Sequence, residues 1–171
     1  RRYLKKGRIK MRDTSLVYPV GADGKILLGH KKRGMGKGKW NGFGGKREKG
    51  ETMRECAARE LFEESGLIAD PGDFLPAADL YFHQPSDPEW SHGGIVYFLK
   101  KWKGEISVSD EMEPAWFSPE EMPFEHMWEA DRIWLPRILK GEKIRGVIYF
   151  ASDGEHVFDY HFETIRTGDR F

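Results

Sequence analysis

Cysteine is almost missing from this chain: Cys56 is the one thiol among 171 residues. An intrachain disulfide is thereby excluded, and a reducing, cytoplasmic setting is expected. Cys56 falls on a helical pattern, where it reads as a small packed hydrophobe rather than a nucleophile. Net charge is missing too, since 28 basic residues balance 28 acidic ones. Bulk attraction to nucleic acid or to a membrane is therefore not expected as the main activity, and no stable nucleic-acid partner is foreseen. No apolar run approaches the roughly 18 residues that a membrane span needs. Internal repeats and low-complexity linkers are lacking as well. Residues 13–171 are accordingly read as one domain with a core of ordinary size, and as a monomer. Residues 1–12 (RRYLKKGRIKMR) are basic and aperiodic, without the apolar segment of a secretory signal. They read as a tail or a short added strand, with an anchor for a polyanionic partner as the functional alternative.

What is present is an alternation of strand and helix signals. Thr14 to Val20 is β-branched and aromatic, which predicts a strand. Ala22-Asp23-Gly24 predicts a hairpin turn, with Lys25 to Gly29 returning beside the first strand. Residues 30–40 (HKKRGMGKGKW) form a cationic, glycine-rich loop without a Walker pattern. That loop is either simply solvated or a mobile rim that attracts phosphates. Asp70-Pro71-Gly72-Asp73 predicts a turn, and Leu80 to Gln84 and Gly94 to Trp102 predict strands. An acidic connector over Ser107 to Pro114 leads to a short strand at Ala115 to Ser118 and a helical turn at Pro119. Trp128 to Lys140 reads as a second helix, which Pro136 should tighten or kink unless it falls in the first turn. Arg145 to Ala151 and His156 to Phe162 alternate about Ser152-Asp153-Gly154, a terminal hairpin. This order of elements predicts an α/β (α+β) fold with a mixed sheet.

The densest signal lies between Gly45 and Leu67, GKREKGETMRECAARELFEESGL. Thr52 and Glu55 form the S/T-x-x-E capping box that starts a helix. Ser65-Gly66 stops it, with Gly66 suited to a left-handed C-terminal position. At helical spacing Glu60, Glu63 and Glu64 stand three and four residues apart, on one face. Like charges that close repel, and a hard cation such as Mg²⁺, which takes carboxylate and phosphate oxygens, is the natural compensation. An isolated E-x-x-E-E is more often a solvated acidic face. This one is not isolated: Gly45, Glu51, Arg59-Glu60-Leu61, Glu63-Glu64 and Gly66-Leu67 meet all nine specified positions of a 23-residue pattern.

That pattern is the Nudix box, and the chain resembles the Nudix hydrolases, which cleave a nucleoside diphosphate linked to a further group X. The resemblance implies an α/β/α sandwich, with a mixed sheet between helices. It implies Mg²⁺ as cofactor, with Mn²⁺ as a substitute, and Glu63 and Glu64 as principal ligands. Glu60 is implied as ligand or general base, and the carbonyl of Gly45 or Gly44 as a further oxygen. Glu51 is the partner implied for Arg59, whose guanidinium orients the carboxylates. Many relatives add an acid from outside the box, and in Asp110-Glu111-Met112 that acid would be Glu111, as ligand or base.

The flanks, KKRGMGKGKWNGFGGK before the box and DEMEPAWF with PFEHMWEADRIWLP after it, resemble the MutT-type branch that acts on oxidised purine nucleoside triphosphates. By that resemblance a purine triphosphate is the substrate, with monophosphate and pyrophosphate as products and nucleotide-pool sanitation as the role. Asn41 is matched to the base edge, Trp128 to stacking and Phe82 to a wall, while Met35 stands where an aromatic is usual. Asp131 matches one of two acids that read the base, and Ala130 replaces the other, a change that weakens discrimination. Glu129 could substitute only with a backbone shift. Two alternatives stand: another X, such as a dinucleoside polyphosphate, a nucleotide sugar or an RNA cap, and a nucleotide-binding module without turnover.

Overall fold

The computed structural model describes residues 12–171. The tail or added strand expected of residues 1–12 lies outside them, apart from Arg12, whose backbone begins the first strand. Among the described residues the order is β1 (Arg12–Pro19), β2 (Ile26–Lys31), β3 (Trp40–Asn41), β4 (Phe43–Lys46), α1 (Met53–Ser65), β5 (Phe74–His83), β6 (His92–Leu99), β7 (Met112–Phe117), α2 (Glu129–Leu139), β8 (Ile144–Phe150) and β9 (Val157–Thr164). A mixed six-stranded sheet runs β4-β1-β6-β5-β8-β9, and a smaller one runs β3-β2-β7. In the large sheet β1 pairs parallel to β6 and β5 parallel to β8, while the other neighbours are antiparallel.

Strand alternation divides the core into two layers. Val17 of β1 with Ile95, Tyr97 and Leu99 of β6 packs against Ala57 and Leu61 of α1. Their neighbours Leu16, Tyr18, Val96 and Phe98 point to the other face, toward Ala130, Trp134, Leu135 and Ile138 of α2. One helix therefore covers each face of the sheet, and the fold is the expected α/β/α sandwich. No helix among the described residues is long and apolar enough to cross a membrane.

The turn at Ala22–Gly24 forms, with Gly24 N–H donating to Gly21 O at 2.9 Å. The hairpin expected from it does not. Both sides of β1 are taken by β4 and β6, so β2 leaves after one bridge, Val20 to Ile26, and pairs with β3 and β7 instead. β5 begins six residues earlier than expected, at Phe74, because a register shift between Pro76 and Ala78 lets a weak strand sequence stay in the ladder. β6 ends at Leu99 rather than Trp102, and Lys103 crosses to bridge Ile68. β7 likewise starts at Met112 rather than Ala115, drawn in by its pairing with Lys31 of β2. Pro136 sits well inside α2, beyond the first turn, and the helix closes soon after it, with Lys140 N–H donating to Pro136 O at 3.2 Å.

Candidate active site

α1 carries the acidic face, and local chemistry fixes both its ends. Glu55 N–H donates to Thr52 Oγ1 and Thr52 N–H donates to Glu55 Oε2, each at 3.1 Å, the reciprocal capping box. At the other end Gly66 adopts φ 79° and its N–H donates to Phe62 O at 2.9 Å. Cys56, Ala57 and Leu61 hold the helix onto the sheet, all fully buried. The Cys56 thiol lies 3.4 Å from Ser15 Oγ and donates to Gly45 O at 3.5 Å, beneath the glycine bend that enters the box. That bend needs Gly44, where a Cβ would meet the backbone oxygen of Ser15 at 1.8 Å, while a Cβ on Gly45 would displace the Glu60 carboxylate, whose Oε1 would lie at 2.5 Å.

Arg59 neutralises most of the acidic face. Its guanidinium forks onto Glu51, with Nε to Oε1 at 2.5 Å and Nη2 to Oε2 at 3.0 Å. It also donates to Glu60 Oε1 at 2.9 Å, to Lys46 O at 3.0 Å and, at the limit, to Glu63 Oε2 at 3.4 Å. The bond from Arg59 holds the Glu51 carboxyl below its usual range, and Glu51 in return strengthens the hold of Arg59 on its proton. Glu64 points inward and is only 4% exposed, accepting from Gly44 N–H at 2.8 Å. Burial pushes its carboxyl up to about 8, against that one bond, and burial raises Glu60 as well. Glu63 is half exposed. Glu111 is shared between Lys31 Nζ at 3.4 Å and Arg33 Nη2 at 3.3 Å.

A cleft of about 330 Å³ opens beside this face. Gly45 and Glu64 border one part of it, and Asn41, Phe82, Trp128, Asp131 and Met35 border it too. Glu51, Arg59, Glu60, Glu63 and Glu111 are not on its walls. Asn41 Nδ2 donates to Lys39 O at 3.2 Å. Asp131, third residue of α2, is buried, and its Oδ2 accepts from Trp128 N–H at 3.2 Å. Burial drives its carboxyl up to about 7. The buried Trp134 indole N–H lies close enough to favour the ionised carboxylate, although it meets no partner at full hydrogen-bonding geometry. Ala130, where an acid would complete the pair, is buried and lines the cleft with a methyl group alone. Glu129 cannot take that place as it stands, because its carboxylate accepts from Val157 N–H at 3.0 Å.

The NUDIX domain family matches residues 10–138. The chain belongs to the Nudix family. At 41% identity over 138 residues it is similar to the oxidized purine nucleoside triphosphate hydrolase of Danio rerio, a match covering 81% of this chain and 85% of that protein. The mouse protein of the same name is 37% identical over 141 residues, covering 82% and 88%. A more distant relative, the ADP-ribose pyrophosphatase of Methanocaldococcus jannaschii, is 34% identical over 118 residues, 68% of each chain. The fold is that of a mutator MutT protein from Bacillus halodurans, with a TM-score of 0.75 over 90% of this chain and 98% of that one at 22% identity.

In this Nudix domain the box acids are near one another without forming a cage. Among the described residues no group of three or more acidic, histidine or cysteine side chains is set to hold a metal ion. Arg59 draws Glu60 and Glu63 toward itself, and Gly44 draws Glu64 inward. The donor chemistry nonetheless fits a divalent cation. The set is all oxygen, and the buried Glu64 carboxylate has one N–H to offset its charge, a deficit that a hard cation would fill.

Sequence reasoning missed several cleft residues. Gln84 shares a strand face with Phe82 by simple alternation, a signal that was available. His92 did not have one: it reaches the cleft because β6 pairs it opposite Phe82, with ring centroids 5.1 Å apart. Tyr18 and Phe150 line the same space from β1 and β8.

Proposed function

We propose that this protein hydrolyses purine nucleoside triphosphates, oxidised purines among them, to the monophosphate and pyrophosphate, as a monomeric enzyme of the cytoplasmic nucleotide pool. The observation that carries the reading is the single cleft, which joins the inward carboxylate of Glu64 to the aromatic and carboxyl groups of Trp128 and Asp131. A triphosphate lying along it would put its phosphates at α1 and its base at α2. The names of the Danio and mouse relatives agree with that class of substrate.

Glu63, Glu64, Glu60 and the Gly45 carbonyl are the groups suited to hold Mg²⁺, or Mn²⁺ in its place, with Glu111 at the edge. When bound, the cation would neutralise phosphate charge and make a water more acidic. Water oxygen bonds to the β-phosphorus while the bond from that phosphorus to the oxygen bridging it to the α-phosphate breaks. The monophosphate keeps the bridging oxygen, and the proton of the attacking water passes to a carboxylate. Glu60, raised by burial and held by Arg59 through one oxygen, is the acceptor assigned here, ahead of Glu111, whose two oxygens are each paired with a cationic side chain. Arg59 and Glu51 act through the acids they orient. At the base end, Trp128 and Phe82 offer ring faces, Asn41 both a donor and an acceptor, and Asp131 a carboxyl that neutral pH leaves able to donate or accept.

A second reading, another nucleoside diphosphate linked to X, is favoured by Ala130, which leaves a single acid to read a purine. A module without turnover fits poorly with an intact set of box acids. Incubation with Mg²⁺ and a panel of 8-oxo-dGTP, dGTP, dATP, 2-oxo-dATP, ADP-ribose and a dinucleoside polyphosphate separates the three. Monophosphate plus pyrophosphate from a purine triphosphate is the expected result. Cleavage of ADP-ribose with no turnover of any triphosphate would overturn it.

A further inference from the structure

Lys39 meets three of the four groups assigned above to the base, Asn41, Trp128 and Asp131. Its carbonyl accepts the Asn41 side-chain bond at 3.2 Å. Its ammonium stands 5.2 Å from the centroid of a Trp128 ring. Its charge reaches the buried Asp131 carboxyl, which it favours in the ionised form. Gly36 also lies against Trp128, and an added Cβ there would be 3.3 Å from the indole. Trp128 is the N-cap residue of α2, and its side chain makes no cap bond that would fix the ring.

The ammonium is itself held from a distant part of the chain. Glu155 Oε1, in the turn between β8 and β9, lies 3.1 Å from Lys39 Nζ. The same turn is fastened at two more points beside the cleft. Gln84 Nε2 donates to Gly154 O at 3.3 Å, and Val157 N–H donates to Glu129, the residue after Trp128, at 3.0 Å. The family match ends at residue 138, so this hairpin lies beyond it.

We propose that the β8–β9 turn clamps the base end of the cleft through Lys39, which is a positioning residue for the purine. The proposal rests on the reading that Trp128 stacks on the base. Trp128 lines the cleft and Lys39 does not, so a cation over the ring, tied back by Glu155, holds the indole in one pose without filling the cleft. A ring already in place need not be ordered when the substrate arrives, which lowers the cost of binding. The phosphates react at the other end, so the benefit falls on KM and not on kcat. The ion pair is exposed at Glu155 and contributes little to stability of itself.

Steady-state kinetics with a purine nucleoside triphosphate and Mg²⁺ test this, using Lys39→Met, Lys39→Arg, Glu155→Gln, the Lys39→Met/Glu155→Gln double variant and Trp128→Ala. Lys39→Met should raise KM by about threefold to tenfold, with kcat and Tm unchanged and with unaltered inhibition by pyrophosphate, which has no base. Lys39→Arg should restore KM. The double variant should be no worse than Lys39→Met, because Glu155 acts only through Lys39. Wild-type KM in Lys39→Met, beside a raised KM in Trp128→Ala, overturns the clamp and spares the base reading. Wild-type KM in Trp128→Ala overturns the base reading itself. Additive effects of Lys39→Met and Glu155→Gln overturn the link through the turn. Should Lys39→Met fail to fold, Glu155→Gln decides, and wild-type KM there overturns the proposal.

Discussion

Replacing Asp131 by Asn should stabilise the protein, and by an amount that grows with pH. In the folded chain the Asp131 carboxyl is raised from 3.8 to about 7, chiefly by burial. A carboxyl raised on folding contributes stability that is complete below its unfolded value and is lost as pH rises through the folded one. Here that window runs from near pH 4 to near pH 7. At pH 5 the loss is about 2 kcal/mol, and by pH 8 it is about 4 kcal/mol, at roughly 1.4 kcal/mol per unit. The amide of the Asp131→Asn variant carries no charge to bury and keeps an oxygen for Trp128 N–H, so it escapes the loss. Between pH 5 and pH 8 the advantage of the variant should therefore widen by about 2 kcal/mol or slightly more. With a urea slope of about 2 kcal/mol per molar, that is a midpoint difference growing by about 1 M. Equilibrium urea unfolding of the two proteins at both pH values measures it. A stability difference that does not change with pH would show that Asp131 is not the buried, proton-holding group described above.

Glu63→Gln should lower kcat by about a hundredfold or more while leaving Tm unchanged, because Glu63 is half exposed; an unimpaired variant would remove Glu63 from the metal set. Arg59→Lys loses the fork onto Glu51 and should cost about tenfold to a hundredfold in activity, with weaker response to Mg²⁺, and a metal titration of activity checks both. Pro136→Ala restores a donor in the body of α2, which should raise Tm by a few degrees in a thermal melt without changing kcat.

The helix α1 could be read from the sequence almost to the residue because its determinants are local. Thr52, Glu55 and Gly66 settle its ends within a few positions, and spacing alone puts Glu60, Glu63 and Glu64 together. Asn41, Phe82, Trp128 and Asp131 were legible only through resemblance, since nothing in the spacing between residues 41 and 131 says that they share a cleft. Other features depend on which strands become neighbours. β2 changes sheets because β4 and β6 claim both sides of β1. His92 enters the cleft by pairing across from Phe82, and Lys39 meets Glu155 only once the final hairpin has folded back over α2. The acids also behave differently from their helical projection. One face is not one cage, because Arg59 and Gly44 pull the carboxylates apart.

Cys56 gives the molecule a built-in reporter. The single thiol is sealed between Ser15 and the Gly45 carbonyl, and burial raises its pKa, so a bulky alkylating reagent can reach it only when α1 lifts from the sheet. Its labelling rate therefore measures how often the site itself opens, separately from global unfolding. Anything that ties the box acids together should slow that rate. The same burial shields the thiol from oxidants while the helix stays docked. Exposure of Cys56 would coincide with loss of the Gly45 bend, so oxidative damage there would strike molecules whose site had already come apart.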